Sequence, residues 1–427
     1  MQPLSHQKAV ADDVITDRRD FLRSSTCIAA ISAIGLSANS SFASDEGANK
    51  VEQSAKWDKT FPKSNKVEHR KVTFKNRYGF TLCGDLYQPK NVKGKLPALA
   101  VSGPFGAVKE QASGLYAQTL AEKGFITLAF DPSYTGESSG EPRNVASPDI
   151  CTEDLSAAVD FFGLVSRVDR NRIGAIGICG WGGFVLNAAA ADKRIKAVAT
   201  STMYDISRVS AYGYNDNMSF VERTNILEQL STQRWKDTEG GSYAYQPPYN
   251  KGVTEDAPQF MIDYHDYYMT SRGYHERAVN SGNAWTMTNP LSFMNAPILN
   301  YIKEISPRPI LFIHGEQAHS RYMSETAYHA AAEPKELMII PDAVHTDLYD
   351  GGENHIIPFE KLSEFFNIGI TPATRQNWRF YNKQKQDDFS KKYFAQILKL
   401  GPPMPCLIAT DTGRKFEVSY GAIIPKF

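Results

Sequence analysis

The stretch Arg172–Phe184, RIGAIGICGWGGF, constrains this chain more than any other. The apolar run Ile173 to Ile178 reads as a buried strand, and it meets Cys179 followed by glycines at 180, 182 and 183. An alanine-rich helical pattern, Phe184 to Ala191, begins at once. Strand, sharp turn and helix therefore join at a thiol. Such a turn holds a reactive side chain clear of a sheet, and it needs small neighbours because the backbone is tightly bent. The expected pattern is Gly-x-nucleophile-x-Gly. Here it reads Gly177-Ile178-Cys179-Gly180-Trp181, with tryptophan in the last place and Gly182-Gly183 directly behind it. A buried cysteine among glycines is also ordinary core, so the rest of the chain has to decide between the two.

The rest of the chain alternates strand and helix. Val67 to Tyr78 and Phe80 to Tyr87 predict a hairpin about Tyr78-Gly79. Leu96 to Val101 is a buried strand ending in the turn Ser102-Gly103-Pro104-Phe105-Gly106, and Ser113 to Lys123 is an amphipathic helix. Strand Phe125 to Phe130 ends at Asp131-Pro132, and helix Asp154 to Val165 leads to the Cys179 turn. Strand Ile195 to Thr200 follows it. Strands Pro309 to His314 and Glu336 to Ile340, with helices Ser324 to Ala332 and Pro358 to Phe366, close the series. This order predicts an α/β chain with a doubly wound, mostly parallel sheet over 67–205 and 306–370. Reactive groups in such sheets gather at the carboxyl ends of the strands, where Cys179, the 102–106 turn and Asp131 all fall. Residues 206–305 break the rhythm and are crowded with Tyr and Trp. They predict an inserted cap whose aromatic residues either line a pocket or pack the cap onto the core. Residues 371–427 predict a C-terminal extension with a helix and a hairpin but no assignable role.

The chain has 427 residues with 47 basic and 47 acidic side chains. That balance gives no electrostatic reason to expect nucleic acid. Asp17-Arg18-Arg19-Asp20-Phe21-Leu22-Arg23, the apolar stretch Cys27 to Leu36 and Ser41-Phe42-Ala43 read in order as a twin-arginine export signal over 1–43. The expected partner is the twin-arginine export machinery, and the expected location is periplasmic or secreted. The apolar stretch is too short for a stable membrane span. Residues 44–66 read as a polar lead-in. Of the five cysteines, Cys27 lies in the signal and no C-x-x-C pair occurs. An oxidising compartment permits a disulfide among Cys83, Cys151 and Cys406.

A thiol nucleophile needs a base and a group that orients the base. His345 follows the last predicted strand in Pro341-Asp342-Ala343-Val344-His345, where the base belongs by chain order. Glu316, after the preceding strand, is the nearest carboxylate for the acid, because Ala318 stands where an aspartate is usual; Asp205 is the alternative. Asp342 reads as a turn cap. Two backbone N–H groups must face the developing oxyanion, and Gly180 and Phe105 are the candidates, since Pro104 has no N–H. A dinucleotide site is discounted because Gly174, Gly177 and Gly180 do not form G-x-G-x-x-G. His314, His319, His345 and His355 match no metal-binding spacing.

With these residues in place the chain resembles the dienelactone hydrolase-like α/β-hydrolases, and within them a bacterial branch. The resemblance covers about residues 67–368. It rests on Lys109-Glu110-Gln111, on Phe130-Asp131-Pro132-Ser133-Tyr134-Thr135-Gly136-Glu137-Ser138 with Gly140-Glu141-Pro142-Arg143, and on Val168-Asp169-Arg170-Asn171-Arg172-Ile173-Gly174. Ala318-His319-Ser320-Arg321 and His345-Thr346-Asp347-Leu348-Tyr349 complete the set. It implies an α/β-hydrolase fold and a Cys-His-acid hydrolase acting on a small-molecule acyl substrate, with no metal and no organic cofactor. Departures are Trp181 in the elbow, Ser139 in place of glycine, Gly103 in place of histidine, and the long tail. An acyltransferase would use the same site with a different acceptor. In a non-catalytic homologue, Trp181 would fill the elbow's surroundings and leave a binding pocket.

Overall fold

Strands with apolar residues on both faces must be covered on both faces, and the computed structural model bears this out. It describes residues 57–247, 253 and 257–371. The strands are β1 (Val67–Lys75), β2 (Thr81–Pro89), β3 (Leu96–Ser102), β4 (Ile126–Phe130), β5 (Val168–Ile178), β6 (Ile195–Ser201), β7 (Ile310–Gly315) and β8 (Lys335–Ile340). They form one sheet in the order β1-β2-β4-β3-β5-β6-β7-β8. The β1–β2 and β2–β4 pairs are antiparallel, and from β4 to β8 every pair is parallel. In β3, Ala98 and Ala100 face one core while Leu99 and Val101 face the other. In β5, Ile173 and Ala175 join the first core, and Ile176 and Ile178 the second. The period of two thus divides the apolar residues between two layers.

The helices are α1 (Ala112–Glu122), α2 (Pro148–Leu164), α3 (Trp181–Ala191), α4 (Ile206–Tyr212), α5 (Phe220–Gly240), α6 (Gln259–Met269), α7 (Leu291–Met294), α8 (Arg321–Ala330), α9 (Asp347–Asp350) and α10 (Phe359–Gly369). Tyr116 and Leu120 of α1 pack with Phe365 and Phe366 of α10 on one face, and Leu155 of α2 with Phe184 of α3 on the other. The fold is a doubly wound α/β-hydrolase sheet. Helix α2 begins six residues before the predicted start because Pro148 sits in its first turn, where a missing N–H is harmless.

Between β6 and β7 the chain runs through α4 to α7 with no named strand among the described residues, and its one isolated bridge joins Tyr245 to Thr286. Helix α5 is held by its ends. Ser219 and Glu222 form a reciprocal capping box, and Gly241 closes it in the left-handed region. The expected export signal, most of the lead-in, Cys27, Cys406 and nearly all of the C-terminal extension lie outside the described residues. Cys83 and Cys151 are buried and free, as is Cys179. Among the described residues no helix is long and apolar enough to cross a membrane.

Candidate active site

Five strand ends converge on one place. β5 ends at Cys179, whose φ of +54° is a conformation that residues other than glycine seldom adopt. Three backbone hydrogen bonds fix the turn: Cys179 N–H to Ser201 O (2.9 Å), and Gly182 and Tyr204 N–H to Cys179 O (both 2.8 Å). Room for it comes from glycine. A Cβ on Gly177 would lie 2.2 Å from Trp181 O, and one on Gly182 would lie 2.3 Å from Met203 Cβ. The two glycines behind the tryptophan therefore do supply clearance. Trp181 itself points away from the site, into the core, edge-on to Phe130 (5.7 Å) and Phe184 (5.4 Å), and it does not line the cavity described below.

The thiol is almost enclosed. Burial pushes its pKa up, against the opposing pull of hydrogen bonds from the Tyr349 hydroxyl, the N–H groups of Gly180 and Phe105, and the Tyr264 hydroxyl. These two N–H groups are the pair named from sequence as oxyanion donors. Phe105 is held in place by stacking on Trp285 of the cap, with 4.5 Å between ring centroids. Behind this turn, Lys109 is buried against Asp131 and Glu110 (both 2.8 Å) and Glu137 (2.5 Å). The Gln111 amide oxygen accepts from Val108 N–H at 3.0 Å. The motifs over 109–111 and 131–137 are therefore struts of the turn.

His345 follows β8 and is buried. Its Nδ1 lies 2.6 Å from Ser320 Oγ and 2.9 Å from Thr202 Oγ1, and its Nε2 lies 3.0 Å from the Tyr349 hydroxyl. Burial, then the neighbouring His319 and His314, hold its pKa well below the usual histidine range, so the ring is neutral. Among the described residues no carboxylate hydrogen-bonds to it. Glu316 is exposed and accepts the Asp342 N–H at 3.2 Å, at the turn where Asp342 was expected to act as a cap. Asp205 caps α4, accepting from Ser207 Oγ (2.5 Å) and Arg208 N–H (3.0 Å). Neither predicted acid is brought to the base, because Glu316 is bound to a backbone N–H of the neighbouring loop and Asp205 to one in the helix it caps. A hydroxyl pair stands in that position, continued by His314, whose Nε2 is 3.1 Å from Ser320 Oγ. Thr202 also has a positive φ, +45°, a costly conformation for a β-branched residue. His314 is thus hydrogen-bonded to hydroxyls, and among the described residues no group of three metal-ligating side chains is assembled.

A cavity of about 520 Å³ opens onto the thiol. Its walls include Phe105, Tyr204, Phe260, Tyr264, Tyr268 and Tyr349, and among the described residues no Asp, Glu, Lys or Arg lines it. The aromatic residues of α6 therefore both line the pocket and pack the cap, since Tyr267 meets Tyr349 edge-on at 4.9 Å.

A family profile described as "PETase: PET hydrolase-like" matches residues 61–213. The uncharacterized protein PA2218 of Pseudomonas aeruginosa is 71% identical over 312 residues, which is 73% of this chain and 83% of that protein. Its crystal structure aligns with a TM-score of 0.72 at 68% identity, over 75% of this chain and 99% of that chain. The uncharacterized protein YcjY of Escherichia coli is 35% identical over 63% of this chain and 87% of its own length. The crystal structure of the alpha/beta hydrolase GrgF from Penicillium aligns with a TM-score of 0.58 at 26% identity, over 71% of this chain and 99% of that chain. This chain belongs to the α/β-hydrolase family. It is a hydrolase by fold and by relationship.

Thr202, Ser320, His314, Tyr264 and Tyr349 were given no role from the sequence of this hydrolase. Hydroxyl residues carry no signal of their own, and Thr202 and His345 are 143 positions apart. Only Tyr349 had a usable cue, lying four residues, or one helical turn, after His345.

Proposed function

We propose that this hydrolase cleaves an ester, lactone or related acyl bond of a neutral small molecule through an acyl-enzyme intermediate on Cys179. The observation that carries the reading is Cys179 held at φ +54° on the turn after β5, beside a cavity that no Asp, Glu, Lys or Arg lines among the described residues, with the Phe105 and Gly180 N–H groups lowering its pKa against burial. Donors aimed at the attacking atom are also aimed at the oxygen that becomes an oxyanion when that atom bonds a carbonyl carbon. His345 is the base, and the Ser320–Thr202 hydroxyl pair takes the place of the acid. The enclosed aromatic walls favour an apolar acyl group and disfavour a carboxylate, which would be desolvated without a cation. Placement among the dienelactone hydrolase-like enzymes belongs to the same proposal, supported by the motifs over 109–111 and 130–143. So does export, supported by Arg18-Arg19 and the apolar stretch behind them.

Acyl transfer is the second reading. The polyketide transferase GrgF is 28% identical to this chain over 302 residues, and an aromatic-lined pocket suits an apolar acceptor.

The test is turnover of neutral aryl esters and lactones by the wild type and by Cys179→Ala, with carboxylate-bearing esters as controls. Neutral esters should be preferred at least about tenfold, and the variant should lose at least about 10³-fold. Undiminished turnover in Cys179→Ala removes the nucleophile assignment. Product mixtures that depend on added alcohol or thiol acceptors favour transfer.

A further inference from the structure

A base normally touches the nucleophile it activates. Here His345 Nε2 is instead 3.0 Å from the Tyr349 hydroxyl, and Tyr349 lines the same cavity as Cys179, its phenol pulling down the thiol pKa that burial raises. No hydrogen bond joins Cys179 to His345 among the described residues. The phenol is held firmly in this position. Tyr349 is buried in α9, and its ring meets His345 edge-on at 5.4 Å. Tyr116 fixes the helix backbone through its hydroxyl to Leu348 O (2.7 Å). Arg272 clamps the helix from the cap side through Asp350 (2.8 Å). Rotation of the phenol out of this position would break packing on Tyr267 and on Tyr268, 6.0 Å away.

We propose that Tyr349 is a catalytic residue whose hydroxyl carries the proton between Cys179 Sγ and His345 Nε2. The proposal rests on the Cys179–His345 reading above. As the sulfur lone pair attacks the acyl carbon, the S–H proton passes to the phenol oxygen. The phenol's own proton passes at the same time to Nε2, so Tyr349 stays neutral and His345 becomes imidazolium. The carbonyl π electrons move onto oxygen, facing the Phe105 and Gly180 N–H groups. On collapse the C–O bond to the leaving group breaks, and the relay runs backward to protonate the departing oxygen. Nε2 must therefore start as an acceptor, with the proton on Nδ1. Its surroundings agree: Nδ1–H donates to Ser320 Oγ, the Ser320 hydroxyl donates to His314 Nε2, and His314 Nδ1–H donates to Ser324 Oγ (2.5 Å). Burial keeps the Tyr349 phenol protonated, as a relay requires.

The experiment compares wild type, Tyr349→Phe and Cys179→Ala in p-nitrophenyl butyrate turnover, iodoacetamide labelling of Cys179, and rate against the D2O fraction. Tyr349→Phe keeps the buried ring and should leave KM within about threefold, while kcat falls about 10²-fold or more. Cys179 labelling should slow by at least about tenfold. The dependence on D2O fraction should be curved in the wild type, with two protons in flight, and linear in the variant. A merely structural tyrosine would not change that curvature. Wild-type rates and curvature in Tyr349→Phe, with Cys179→Ala inactive, overturn the relay and leave the nucleophile standing. Turnover that survives in Cys179→Ala overturns both. Should Tyr349→Phe fail to fold, 3-fluorotyrosine at this position serves instead. Its more acidic phenol should change kcat at least severalfold, and an unchanged kcat overturns the relay.

Discussion

In the proposed reaction His345 has no ionised partner among the described residues, and this sets how strongly its imidazolium would be stabilised. A hydrogen bond to an ionised group is roughly twice as strong as one between neutral groups. The Ser320 and Thr202 hydroxyls therefore orient the ring well but stabilise its charged form only modestly. Ser320 acts as a positioning residue, since it touches neither Cys179 nor the cavity lining. Replacing it by alanine removes the shorter Nδ1 contact and leaves His314 Nε2 without its hydroxyl. We expect Ser320→Ala to lower kcat about tenfold with little change in KM, and Ser320→Thr, which keeps a hydroxyl, to recover most of the loss. Equal losses in both variants, measured with neutral aryl esters, would remove the hydroxyl from the mechanism. The same residues show what the sequence could disclose. That Cys179 and His345 lie at the carboxyl ends of strands was legible because apolar runs announce β5, which ends at Ile178, and β8, which ends at Ile340. Glu316 was chosen by proximity along the chain, but its carboxylate turns to the solvent side to accept the Asp342 N–H. Asp205 was also close in sequence, and helix α4 uses it as a cap. Proximity in sequence says where a side chain starts, and the local backbone decides where it ends.

At the scale of elements, the elbow is the clearest case of a motif misread through one position. Tryptophan in place of the second glycine raised the reading of a non-catalytic homologue in which it fills the elbow's surroundings; position 181 opens α3, and its side chain packs into the core beneath the turn. A variant that restores the glycine pattern should therefore harm the protein. Trp181→Gly removes a buried indole, a change that costs about 3–5 kcal/mol for truncation to alanine, and adds about 1 kcal/mol for glycine in a helix. Urea unfolding followed by fluorescence or circular dichroism should show a drop of this order, and a variant as stable as the wild type would place Trp181 outside the core. The strands and the sheet were legible to within a few residues, because period-two and continuous apolar runs are local signals. The cap was not. Its helices α4 to α7 are short or polar, and α5 buries little beyond Asp237, so no apolar stripe marks which face turns inward. The cap aromatics that matter, Tyr264 and Tyr268, were visible only as part of a crowd.

Across the whole molecule, burial of neutral histidines around the site couples stability to pH. Burial lowers His314 to about 3 and His319 to about 4, and it holds His345 well below the usual range, against an ordinary value of 6.5. A histidine whose folded pKa is depressed contributes stability that is fully present above pH 6.5. That contribution is lost as pH falls toward the folded value, because the unfolded chain takes up the proton first. Asp154 works in the opposite direction. Burial raises it to about 6, so the stability it adds is present below its ordinary 3.8 and is lost as pH rises through 6. Between pH 6 and 4.5 three histidines favour unfolding on acidification, while Asp154 and Asp131, both raised by burial, resist, so the net is at most about two protons. The expected slope is about 3 kcal/mol per pH unit at most. Glu137, held near pH 2 by Lys109 and Lys71 against its burial, adds to the loss only as pH nears its ordinary 4.5, at the foot of this window. Urea midpoints at pH 7, 6 and 5 should therefore fall steadily. Asp154→Asn should steepen the fall by removing one opposing proton. A midpoint that stays level or rises from pH 7 to pH 5 would mean that the histidines around Cys179 are charged in the folded protein. His345 would then already hold the proton that the proposed relay has to deliver to it.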